Sequence, residues 1–116
     1  MSGPAIVYKI VTRAQWGEAE KAGVFKGAPV DLDDGFIHFS TADQVRETAA
    51  RHFAGQSDLL LVAVDAGALG QALVYEPSRG GALFPHLYAD LPLSAVRAVD
   101  PLPLGADGRH QFSVEA

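Results

Sequence analysis

Two stretches of this 116-residue chain concentrate side chains able to hold an anion or move a proton. The first is Asp34-Gly35-Phe36-Ile37-His38-Phe39-Ser40-Thr41. It reads as a strand, then polar residues, then the start of a helix. The first amides of a helix have no internal partner and carry the positive end of its dipole, so they suit a phosphate or carboxylate. Ser40 and Thr41 add hydroxyls there, and His38 can donate to a ribose, a phosphate or a carbonyl. A plainer reading makes Ser40 and Thr41 ordinary caps and His38 a satisfied, half-buried histidine.

The second stretch is Glu76-Pro77-Ser78-Arg79-Gly80-Gly81-Ala82-Leu83-Phe84-Pro85-His86-Leu87-Tyr88. It gathers a carboxylate, a guanidinium, an imidazole and a phenol around one loop. Arg79 can fork onto a phosphate or carboxylate. Gly80 and Gly81 permit unusual backbone angles and close approach of a ligand. Glu76 can act as a general base or polarise a hydroxyl. The plainer alternative is a hairpin with a Glu76–Arg79 ion pair, in which His86 is a structural hydrogen-bonder near Tyr88.

Other constellations are weaker. Asp31, Asp33 and Asp34 bring three carboxylates close together, but no calcium-binding loop follows them, and turn chemistry accounts for them. The four histidines, at 38, 52, 86 and 110, have no pair at a metal-binding helical spacing. No metal is therefore expected. Zero cysteines remove thiolate ligands, cysteine nucleophiles and disulfides together. No Walker loop, dinucleotide fingerprint or G-x-S-x-G elbow is present.

These residues need elements to hold them. Ile6 to Val11 is β-branched and aromatic, hence a strand. Thr12 and Gln15 form a capping box, with Val11 and Trp16 at its staple positions, so a helix is expected from Arg13 to about Ala22, stopped by Gly23. Val24 to Leu32 reads as a loop with one short extended piece, and Asp33-Asp34-Gly35 as a turn. Phe36 to Phe39 is a short strand. Ser40 with Asp43, or Thr41 with Gln44, caps a second helix whose face carries Val45, Thr48, Ala49, His52 and Phe53 and which ends near Gly55. Leu59 to Ala66 is the candidate central strand. Leu73 to Glu76, Leu83 to Tyr88, Ala95 to Val99 and Gln111 to Val114 are further strands. The expected fold is α+β: a small, mixed, mostly antiparallel split sheet with two helices in the N-terminal half.

Hydrophobic residues make up 48% of the chain and charged residues 20%, which fits one globular domain over residues 1–116. The net charge of -5 and the absence of any Lys or Arg run argue against broad nucleic-acid binding. They leave room for a pocket that takes one or two phosphates. No signal peptide or membrane-spanning run is evident, so no membrane association is expected and a cytoplasmic location is.

The runs D-G-F-I-H-F-S-T-A-D-Q-V and E-P-S-R-G-G-A-L-F-P-H-L-Y, with the opening I-V-Y-K-I and the Trp16 helix, resemble the family known as domain of unknown function 952. The resemblance runs from about Ile6 to Val99. That family is similar in fold to the ADP-ribosyltransferase group, which includes enzymes that remove a 2′-phosphate from RNA with NAD. The resemblance implies an ADP-ribosylation-like split sheet around an NAD-binding cleft. It makes His38-Phe39-Ser40 look like the group's ribose-contacting pattern, and it assigns Glu76 to the ribose hydroxyl beside the departing nicotinamide. His38 and Glu76 are then the expected catalytic pair, with Ser40, Thr41, Arg79, His86 and Tyr88 binding ligand. The expected activity is a small NAD- or ADP-ribose-handling transferase or hydrolase, with NAD as substrate. The alternative is a non-catalytic module for a nucleotide or phosphorylated metabolite.

Overall fold

The computed structural model describes residues 5–112, apart from the side chain of Arg79. In chain order its elements are β1 (Ile6–Thr12), α1 (Arg13–Ala22), β2 (Val24–Phe25), α2 (Pro29–Asp34), β3 (Ile37–His38), α3 (Val45–His52), β4 (Leu59–Asp65), α4 (Ala66–Leu69), β5 (Leu73–Pro77), β6 (Leu83–Leu87), β7 (Leu91–Pro92) and β8 (Val96–Leu102). The fold is α+β. Every strand pairing among the described residues is antiparallel, so the expected mixed sheet is an antiparallel one.

One sheet has the order β1-β4-β8 and another β3-β6-β5, with a small β2-β7 pair beside them. The two larger sheets meet where Tyr8 and Ser40 exchange backbone hydrogen bonds of 2.8 and 2.9 Å. The bridge joins the two sheets, and Ser40 is fixed by backbone pairing at the seam.

β4 is central because both its faces are covered, which explains its unbroken apolar run. Val7 and Val11 of β1 and Leu60, Val62 and Val64 of β4 share one face with Trp16 and Ala19 of α1. Tyr8, Ile10, Leu59 and Leu61 share the other with Val45 and Ala49 of α3. The register pairs Val7 with Val64 and Ile10 with Leu61, so each face is built from cross-strand partners. Each fully buried Leu, Val or Phe contributes roughly 1.5–3 kcal/mol. Among the described residues no helix is long and apolar enough to cross a membrane.

α1 has the expected limits and cap. The Thr12 hydroxyl accepts from the Gln15 amide at 3.0 Å, and the Gln15 side chain accepts from the Thr12 amide at 2.9 Å. Gly23 closes the helix in the left-handed region at φ 83°. Thr12→Ala should cost about 1 kcal/mol, visible as a lower denaturant midpoint with an unchanged slope.

Three expectations need correction. The N-terminal half holds three helices rather than two, because residues 29–34 form α2 instead of a loop. Asp33-Asp34-Gly35 is the end of that helix, with Gly35 as its left-handed cap at φ 87°. α3 starts at Val45, not at Ser40 or Thr41. The chain first makes a turn in which the Thr41 carbonyl accepts from Gln44 and Val45. Of the late strand expected from Gln111 to Val114, Gln111 and Phe112 lie outside any strand, and residues 113 and 114 are outside the described residues.

Candidate active site

α2 is an inverted helix. Pro29 starts it, where a missing amide costs nothing. Val30 and Leu32 point outward, 55% and 65% exposed, while Asp31 points inward at 2%. The Asp31 carboxylate accepts from the Ala28 amide at 2.7 Å, the His38 amide at 3.1 Å and the His38 Nδ1–H at 2.6 Å. Lys9, in the middle of apolar β1, donates to the same oxygen at 3.0 Å. Burial works against the Asp31 charge, but the His38 hydrogen bond, the Lys9 charge and the two amides outweigh it and bring the carboxyl down to about 2. Burial pulls Lys9 below its ordinary value, against the opposing pull of Asp31.

His38 and His86 are direct cross-strand partners on β3 and β6, so their side chains rise from the same face. Their ring centroids are 5.5 Å apart at 70°. Each ring is oriented through Nδ1 by a carboxylate. His38 uses Asp31, and His86 donates to Glu76 Oε1 at 2.7 Å. An ionised carboxylate only accepts, so Nδ1 carries the proton in both rings. Phe36 packs against both: it stacks on His86 at 4.0 Å and lies 4.6 Å from His38.

Glu76 stands on the edge strand β5, and its Oε1 accepts from Tyr88 as well, at 2.7 Å. The His86 and Tyr88 hydrogen bonds hold Glu76 below its ordinary range. The same bond raises the Tyr88 phenol above its usual value, because ionisation would set a phenolate against a carboxylate. Glu76→Gln should return this phenol toward about 10. An ultraviolet difference titration of the variant against the parent checks it, and identical curves would contradict the bond.

The two histidines open on a cleft of about 580 Å³, also lined by Lys9, Asp34, Ser40 and Ser78. His38 Nε2 lies 2.9 Å from Asp34 Oδ2. His86 Nε2 meets no hydrogen-bond partner among the described residues, and no buried side-chain polar atom there lacks one, so this nitrogen is open to the cleft. Its lone pair is free to take a proton.

Of the residues expected from the sequence, His38, Ser40 and His86 line this cleft. The Ser40 hydroxyl also shares a 2.8 Å hydrogen bond with Thr48. Glu76 and Tyr88 stand behind His86 and do not line it. Thr41 does not line it either, and its amide is taken by the Gln44 side chain at 3.0 Å. The Arg79 side chain lies outside what the structure describes. The first amides of α3 do not follow directly on His38, because α3 begins seven residues later. The sequence reading passed over Lys9 and assigned Asp31 to turn chemistry. A lysine inside the apolar run I-V-Y-K-I was the available signal, since a buried charge requires a partner.

The pattern of the family described as "Protein of unknown function (DUF952)" matches residues 10–99. The chain belongs to this family. The match spans every residue just described from Ile10 to Tyr88, while Lys9 falls immediately before it. The chain is 52% identical to protein CC0527 from Caulobacter crescentus, whose crystal structure superposes with a TM-score of 0.88 over 91% of this chain and 93% of that one. A double mutant of CC0527 gives 50% identity, a TM-score of 0.88 and the same coverage. The solution structure of CC0527 gives 52% identity and a TM-score of 0.83, covering 91% of each chain. No curated protein matches the chain.

Proposed function

We propose that this DUF952 chain is a small transferase or hydrolase of the NAD- or ADP-ribose-handling type, with an ADP-ribosylation-like fold, whose cleft takes the ribose and phosphate of its ligand. The observation that carries this reading is the convergence of His38, Ser40 and His86 on one open cleft, with Glu76 directly behind His86. The cleft volume lies within the usual range for small-molecule sites, roughly 300–1,000 Å³. The resemblance of His38-Phe39-Ser40 to a ribose-contacting pattern supports a nucleotide over other anions.

The geometry favours one change in the assignment of roles. Glu76 Oε1 is already bonded to both His86 and Tyr88, so it works through His86 rather than on a ribose hydroxyl. His86 Nε2 is then the general base toward a hydroxyl or water. His38 and Ser40 hold ribose or phosphate. NAD is the substrate tested, and calorimetry with ADP-ribose combined with an assay of nicotinamide release from NAD decides the matter. Binding of ADP-ribose and release of nicotinamide are the expected results. Failure of both ligands to bind would remove the reading.

A further inference from the structure

We infer that His38 and His86 form an acid–base pair that opens a five-membered ribose cyclic phosphodiester, such as a nucleoside 2′,3′-cyclic phosphate. This activity goes beyond nicotinamide chemistry. Nicotinamide departs from NAD as a neutral base and needs no proton, so a reaction there has no use for an acid opposite His86. A ribose oxygen leaving phosphorus does need one.

The two rings are set up unequally. His86 has one carboxylate, Glu76, on Nδ1, and its Nε2 is open to the cleft. His38 faces a carboxylate oxygen at each nitrogen, Asp31 at 2.6 Å from Nδ1 and Asp34 at 2.9 Å from Nε2. A nitrogen that faces an ionised carboxylate oxygen can only donate to it. His38 is therefore the proton donor and His86 the acceptor. Asp34 is half-exposed, lies three residues after the buried Asp31 on α2, and lines the cleft, so its carboxylate stands where an incoming phosphate oxygen would meet His38 Nε2. The phosphate replaces one anion with another at that nitrogen.

The reaction balances without a further reactant. His86 Nε2 takes a proton from water as the water oxygen forms a bond to phosphorus. One P–O bond to ribose breaks, and the leaving ribose oxygen takes the proton from His38 Nε2. The product is a ribose phosphomonoester, and exchange with solvent returns each histidine to its starting form. Asp31 and Glu76 are positioning residues that fix the two rings. The substrate is of mononucleotide size. The cleft holds about 580 Å³, and a chain of net charge -5 with no basic track offers nothing for a longer strand to follow.

The test uses the full chain with 2′,3′-cyclic AMP and no NAD, and follows the phosphomonoester by phosphorus NMR. Its outcome is thus separate from nicotinamide release. The expected result is ring opening with a bell-shaped pH–rate profile, and no turnover of 3′,5′-cyclic AMP. His86→Gln and His38→Gln should each lower the rate by about 10²-fold or more. Glutamine at 38 places its amide near the position of Nε2, and Asp31 keeps Lys9 and the Ala28 and residue-38 backbone amides, which holds the buried network. His86→Gln should lose the limb of the profile that rises with pH, and His38→Gln the limb that falls, a separation that a merely structural role would not produce. Absence of ring opening in the parent protein, or a parent profile without both limbs, overturns the proposal.

Discussion

Asp31→Asn should be the most damaging conservative substitution in this chain, lowering stability at neutral pH by about 3 kcal/mol or more. The change is nearly isosteric, so packing is not the cause. The carboxylate of Asp31 satisfies Lys9, two backbone amides and His38 Nδ1 at once, with essentially no exposure to water. An asparagine has one acceptor oxygen, and its amide nitrogen would confront donors. Lys9 would also be left as a buried charge without a counter-charge. For a domain near this size the melting temperature should fall by on the order of 12 °C.

The pH dependence of this contribution has a definite sign. The Asp31 carboxyl is depressed from 3.8 to about 2 in the folded protein. A depressed acid stabilises the fold above its unfolded value and loses that effect as pH falls through its folded value. The contribution is therefore complete above about pH 4 and disappears toward pH 2, with a size of about 2 kcal/mol by linkage. The substitution costs more than this because it also strands Lys9. Denaturant curves at several pH values measure both parts: the gap between parent and variant should narrow as pH drops from 4 to about 2. A gap under about 0.5 kcal/mol at neutral pH, where ordinary surface changes fall, would mean that Asp31 does not hold α2 in place.

Asp31 also shows where a sequence stops being readable. β1, α1 and β4 were legible because their signals are local: a β-branched run, a reciprocal cap, and an apolar stretch long enough to be covered on both faces. α2 was not, because six residues make less than two turns and its apolar residues face outward. Its end markers were present all the same, with Pro29 at the first position and Gly35 just past the last. The reading of Ser40 and Thr41 as caps failed for a different reason. Cap-forming residue types also form turns, and here tertiary pairing decided, because Ser40 is held by Tyr8 while Gln44 reaches across to the Leu83 carbonyl at 2.7 Å. His38 and His86 stood out as residue types, but their direct pairing across β3 and β6 depends on strand register, which no local signal specifies.

Glu76→Gln should separate turnover from binding. Glu76 lies behind His86 and does not line the cleft, so ligand affinity should be unchanged. Turnover should not be. When His86 accepts a proton it becomes an imidazolium, and the Glu76 carboxylate is the charge that stabilises that form. Its hydrogen bonds with His86 and Tyr88 keep it ionised below the ordinary carboxylate range, so the charge is present at any working pH. Glutamine preserves the shape but removes the charge, and its amide can turn a donor toward Nδ1, which would favour the wrong tautomer. A loss of about 10²–10⁴-fold in kcat is expected for nicotinamide release from NAD, with KM little changed. Tyr88→Phe removes one hydrogen bond to that carboxylate at a half-exposed position but leaves its charge in place, and should have a much smaller effect. The alternative function, a module that binds a nucleotide or phosphorylated metabolite without transforming it, makes the opposite forecast. Parent and Glu76→Gln would bind ADP-ribose equally and neither would turn over NAD. Equal turnover by the two proteins would show that the Glu76–His86 contact supports the fold and takes no part in chemistry, and the assignment of His86 as a carboxylate-backed base would fall with it.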